Sequence, residues 1–94
     1  MIEKFSGIVE IFDKHKMPWW YVRVPQKISG PYEVLADSGL IAVTASVGKN
    51  SWATSLLPYG DNTHFLALPA KVRKANDIKL GDKILVEFEI RERK

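Results

Sequence analysis

The chain has 94 residues, 46% of them hydrophobic and 27% charged, which makes one small domain with one core. Its net charge of +3 is only mildly basic, and it has no cysteine, so disulfides, thiolate nucleophiles and cysteine-held zinc are excluded. No apolar run approaches the ~20 residues of a membrane helix, and the opening MIEKFSG carries no apolar signal-peptide region, so the expected location is the cytoplasm.

Strand signals dominate the chain order. FSGIVEIF (residues 5–12) alternates, with Phe5, Gly7, Val9 and Ile11 on one face. DKHKMP (13–18) is polar, ends in proline and reads as a turn. WWYVRV (19–24) is a strand with Trp20, Val22 and Val24 inward, and with Trp19, Tyr21 and Arg23 on the opposite face. Pro25 breaks it. Ser29, Gly30 and Pro31 then suggest a helix start, with YEVLADSG giving about two turns and Gly39 a left-handed stop. LIAVTASV (40–47) is a strand with Ile41, Val43, Ala45 and Val47 aligned.

The second half repeats this order. GKN (48–50) turns into the strand SWATSLL (51–57), and PYGDN (58–62) is a strong turn. THFLAL (63–68) is a strand stopped by Pro69. AKVRKAND (70–77) is a short helix with Val72 and Ala75 inward, and KLGD (79–82) is a turn. KILVEFEI (83–90) alternates, burying Ile84, Val86, Phe88 and Ile90. YVRVPQKI, from Tyr21, lies over FLALPAKV, from Phe65, 44 positions later, and Gly39 over Gly81, 42 positions later. The expected organisation is one domain, 1–94, built of two halves, 5–47 and 51–90. Three strands and a short helix cannot bury their apolar face alone. Two such units close on each other as a small pseudo-twofold β-barrel that leaves few sheet edges.

LPAKVRKANDIKLGDKILVE (residues 68–87) resembles the proline, basic-helix, Gly-Asp and strand segment of AbrB/SpoVT/MazE-type swapped-hairpin proteins, which bind DNA as dimers. The whole chain is similar to a DUF1905-type family of uncharacterised small domains. The residues that carry this likeness are WWYVRVP (19–25), WATSLLPYG (52–60), HFLALP (64–69) and the span from Val72 to Gly81-Asp82. The resemblance implies a double-split β-barrel and no established activity.

The chemistry-bearing residues are few. The histidines are His15, in a charged turn, and His64, which shares a face with Leu66 and Leu68 and reads as a hydrogen-bonded core residue. Ser55, Asp61 and His64 are the only nearby nucleophile trio, without a strained elbow around Ser55. Glu87 and Glu89 sit two apart on an outer strand face rather than in a pocket. The six glycines are scattered and form no phosphate cradle. Lys71, Arg73 and Lys74 form the polar face of the second helix, and Lys14, Lys16 and Arg23 lie on or beside the first hairpin. Trp19 and Tyr21 share a face with Arg23, an arrangement that stacks bases. Glu33, Asp37 and Asp61 thin this field, and the first helix is acidic where the second is basic. Trp19, Tyr21, Trp52 and Tyr59 are alternatively core aromatics or the lining of a groove.

The sequence therefore points to a mainly β fold: a small pseudo-duplicated double-split β-barrel of about six strands with two short helices. The expected function is a non-catalytic binding or scaffolding module. An AbrB-like DNA-binding regulator or antitoxin is the alternative. The candidate binding residues are Trp19, Tyr21, Arg23, Lys71, Arg73 and Lys74. No catalytic residue, metal ligand or cofactor is expected. The expected partner is a small ligand or a protein, with nucleic acid less favoured, no membrane, and a monomeric state.

Overall fold

The computed structural model describes residues 2–12, 19–61 and 63–91. The polar turn at 13–18, with Lys14, His15 and Lys16, and the last three residues lie outside the described residues. The elements are β1 (Ile2–Ile8), β2 (Glu10–Phe12), β3 (Trp19–Val24), α1 (Gln26–Ser29), a 3₁₀ turn (Gly30–Leu35), β4 (Ile41–Val47), β5 (Asn50–Pro58), β6 (His64–Ala67), α2 (Ala70–Ala75) and β7 (Lys83–Ile90).

One antiparallel sheet runs in the order β1-β7-β4-β5-β6-β3-β2. Its two ends, β1 and β2, are separated in the chain by Val9 alone, so the sheet has to curl back on itself as a barrel-like shell. The segment expected as one strand at 5–12 is thus two strands. Val9 leaves the ladder and bonds to the turn before β7, donating to the Asp82 carbonyl (2.8 Å) and accepting from the Gly81 amide (2.9 Å). Across the interior, Gly7 of β1 passes directly over β3, where an added Cβ would stand 3.1 Å from Val22 Cβ. A glycine is needed there for the two layers to approach so closely.

The alternation read from the sequence sets which side chains go inside. Ile41, Val43, Ala45 and Val47 of β4 are buried, as are Val86 and Phe88 of β7, Val22 and Val24 of β3, and Leu66 of β6. Each large side chain buried this way contributes about 1.5–3 kcal/mol. The registers centre on matched positions. Val22 faces Leu66, with Tyr21 opposite Ala67 and Arg23 opposite Phe65. Both Val22 and Leu66 are followed, three residues on, by a proline that starts a helix.

The first helix differs from expectation. It begins at Gln26, directly after Pro25, and Ser29 makes no side-chain cap. Proline has no N–H for the ladder, while the Pro25 carbonyl accepts from Ile28 (2.9 Å) and Ser29 (3.1 Å), which starts the helix at once. Pro31 then removes another helical donor, and the chain tightens to 3₁₀ geometry. Gly39 (φ +82°) follows Ser38 (φ +54°) in a two-residue turn closed by Asp37 and Leu40, the positive-φ pair such a turn demands, and not in a helix cap.

The second helix starts as read. Pro69 is its N-cap (φ −62°, ψ 151°), and Pro25 takes the same extended geometry before α1 (φ −56°, ψ 139°). At its far end, Asn76 Nδ2 donates to Asn50 Oδ1 (3.0 Å) and to the Val72 carbonyl (2.9 Å), tying α2 to the first residue of β5. The 3₁₀ turn is tied down in a similar way. Tyr32 donates its hydroxyl to Glu3 of β1 and packs edge-on against Phe88, with centroids 6.4 Å apart.

Candidate functional site

The six candidate binding residues separate into two places. On the outer face of β3, Tyr21 is only 3% exposed. Phe12 stacks on its ring at 4.4 Å, and Phe65 (5.4 Å) and Tyr59 (6.1 Å) enclose the rest. Tyr21 is therefore part of a second aromatic core outside the barrel and offers no face to a ligand. The alternation put it correctly on the outer face, but long-range packing of Phe12 and Tyr59 covers it. Burial, its hydroxyl contact with Tyr59 (3.4 Å) and the negative charge of Glu10 push the Tyr21 phenol well above its ordinary value of 10.0.

Arg23 lies at the rim of this cluster and is already engaged. Its guanidinium sits over the Tyr59 ring at 3.8 Å and pairs with Asp61 at 3.0 Å. The Thr63 hydroxyl and amide bond to Asp61, and with Arg23 they hold its carboxyl below the ordinary value. Tyr59 is thus a packing residue, and so is Trp52, whose side chain packs against the barrel core. The Trp52 indole N–H is buried, with no partner among the described residues.

The second place brings distant candidates together. Trp19 opens β3 and is 50% exposed. Trp20 is half-buried, and the Arg73 guanidinium of α2 lies over its ring at 4.6 Å. Two contacts fix this geometry. The Leu68 amide donates to the Trp20 carbonyl (2.8 Å), prolonging the β3–β6 ladder by one residue. Arg73 Nε donates to the Leu68 carbonyl (3.2 Å), so the arginine is clamped between an indole face and a backbone oxygen. Trp19, Trp20, Leu68, Pro69, Ala70 and Arg73 line an open groove of roughly 230 Å³. Lys74 follows Arg73 on α2, and Lys71 is one turn from Lys74. Neither lysine has an ion-pair partner among the described residues. The groove is thus apolar on its floor with the Arg73 guanidinium on one bank, and the two lysines lie on α2 beyond its lining. Trp20, Leu68 and Pro69 were not candidates on the sequence, where Trp20 read as an inward residue. The cue was present: Pro69 and Arg73 are one helical turn apart, just past a strand that pairs with β3.

The remaining candidates for chemistry do not assemble. His64 is 2% exposed and its Nδ1 lies 2.9 Å from Ser29 Oγ, with Ser29 wholly buried. This is the hydrogen-bonded core histidine expected, with a partner that the sequence did not reveal. Asp61 turns instead to Thr63 and Arg23, and Ser55 faces outward from β5 opposite Ala42. A larger hollow of roughly 550 Å³ lies beside Ser46, Lys49, Asn76 and Glu87. It is lined by mixed small polar and aliphatic groups without an aromatic platform. Among the described residues no group of three or more His, Asp or Glu is placed to hold a metal, and no helix is long and apolar enough to cross a membrane.

A family model described as "Domain of unknown function (DUF1905)" matches residues 5–88, most of the chain. No curated protein matches it.

Proposed function

We propose a binding role without catalysis for this chain, which belongs to the DUF1905 family. The observation that carries the reading is the exposed Trp19 beside an arginine clamped over Trp20. Phe12, Tyr59 and Phe65 cover Tyr21 on the β3 outer face, whereas half of the Trp19 indole stays in water, apolar area that a bound partner would cover. A pinned guanidinium loses little further freedom on meeting a ligand, so it adds affinity at low entropic cost. A flat, anionic or carboxylate-bearing ligand fits both groups. The wholly buried Ser29 on His64 supports a structural role for that pair, because a nucleophile must reach its substrate.

The swapped-hairpin, DNA-binding reading rests on Lys71 and Lys74, the cations of α2 whose charges face solvent freely. Duplex binding that is indifferent to Trp19 is its signature.

The test is a titration of isotope-labelled protein with small flat aromatic carboxylates, followed by amide, indole and guanidinium N–H resonances. The expected result is shifts confined to Trp19, Trp20 and Arg73, and lost in Trp19→Ala. Shifts at the hollow beside Ser46 and Lys49, with none at Trp19, Trp20 and Arg73, would remove the groove as the binding surface.

A further inference from the structure

We propose that this groove takes single-stranded nucleic acid, with one base stacked on Trp19 and the adjoining phosphates on Arg73, Lys74 and Lys71. The proposal rests on the binding role assigned above and names the ligand class. Trp19 presents half of its surface to solvent, and an indole face accepts any base, because every base has a π-face. The neighbouring Trp20 is already covered by Arg73, so the platform is a single indole with a cation at its edge. Arg73 uses Nε on the Leu68 carbonyl, which leaves its two terminal amino groups for the bidentate contact that a phosphate accepts.

The charge pattern continues this. α2 carries three cations and no acidic residue between Ala70 and Ala75. Lys71 and Lys74, at i and i+3, are neighbours on its surface. Around the helix Lys74 lies between Arg73, which lines the groove, and Lys71, on the flank about 160° away, so a polyanion leaving the groove meets the three charges in turn as it crosses α2.

The geometry also weighs against other occupants. A duplex reader inserts a helix into the major groove. With six residues, α2 is about 9 Å long, under two turns. An extended peptide would gain affinity by adding to a free strand edge. The strand that carries Trp19 has β2 on one side and β6 on the other. The groove is open and, at roughly 230 Å³, smaller than the pockets of about 300–1,000 Å³ that enclose small molecules. It suits a stacked base more than an engulfed ligand.

The experiment is fluorescence anisotropy of a labelled oligothymidylate of about ten nucleotides, within the range one small β domain covers. The protein, Trp19→Ala and Lys71→Gln/Lys74→Gln are titrated at low and moderate salt, with unlabelled duplex and an Asp/Glu-rich peptide as competitors. The expected salt slope is about −2, from three phosphates at about −0.7 each. Trp19→Ala weakens binding about tenfold, and the double lysine variant lowers the slope to about −0.7. Equal affinity for duplex, with Trp19→Ala unchanged, overturns stacking in favour of the duplex reading. No oligonucleotide binding at low salt, with the acidic peptide or aromatic carboxylates still shifting Trp19 and Arg73, overturns nucleic acid and leaves the binding role standing. Silence of the groove toward all of these probes removes both.

Discussion

Gly48→Ala is the sharpest test of how α2 is held in place. Gly48 ends the β4 side of a tight turn with φ +59°, and an added Cβ would lie 2.2 Å from Asn76 Oδ1. Two costs follow. An alanine in the left-handed region costs about 1–2 kcal/mol. The clash is with a side chain that makes two hydrogen bonds, to Asn50 Oδ1 and to the Val72 carbonyl, so Asn76 must swing away and lose about 1 kcal/mol for each. The sum is about 3 kcal/mol. Asn76→Ala loses only the hydrogen bonds, about 2 kcal/mol. The double variant has no bonds left to lose beyond those, and should cost about 3 kcal/mol rather than the additive 5. Gly81→Ala is the control, because Gly81 has φ +85° with nothing within 4 Å of the added Cβ, and its cost is backbone strain alone, about 1–2 kcal/mol. The assay is urea denaturation at constant pH with linear extrapolation. Additive costs in the double variant, or a Gly48→Ala cost no larger than that of Gly81→Ala, would refute the docking of α2 through Asn76. The same variant should weaken ligands at the Trp19 groove without touching it, because Arg73 rides on α2.

Three further outcomes follow from the structure. Tyr21→Ala should cost about 3–5 kcal/mol, as for an emptied aromatic core site, while Trp19→Ala should cost less than about 1 kcal/mol as an exposed residue; similar values for the two would reverse their assignment to core and surface. The phenols of Tyr21 and of Tyr32, which donates to Glu3, are both raised above 10.0. Their native states favour the protonated form, so the stability they contribute is complete below pH about 10 and declines as pH rises through the raised values; a denaturation midpoint that stays flat above pH 10 would contradict this, and Tyr21→Phe should lessen the decline. We also propose that the two halves are copies of one unit. Ile2 of β1 pairs with Glu89 of β7, so the first and last strands are neighbours, and a circular permutant opened between Gly48 and Lys49 with the original ends linked should fold to a monomer of near-native stability; an aggregated or expanded permutant would count against equivalent halves.

The strand pattern was legible in the sequence because the period of two is a local property, and burial of one face is all that a curled sheet asks of each strand. Val9, Val22, Val43, Leu66 and Phe88 needed no knowledge of their partners to be placed inside. Prolines 25 and 69 likewise announced the ends of β3 and β6 locally, through a missing donor. The family pattern spread over Trp19 to Asp82 was visible in the same way. What the sequence left open depended on side chains that meet across long separations. Ser29 read as a helix cap, yet His64 lies 35 positions away in the chain and 2.9 Å away in space. Tyr21 read as a ligand face, until Phe12 and Tyr59 closed over it. Arg73 read as one of three cations on the polar face of the second helix, whereas Leu68 and Trp20 clamp it. Alternation determined which way each side chain of a strand points, but only the curl of the sheet decided what was waiting there, because contact across a curled sheet is set by strand order and register and not by neighbours in sequence.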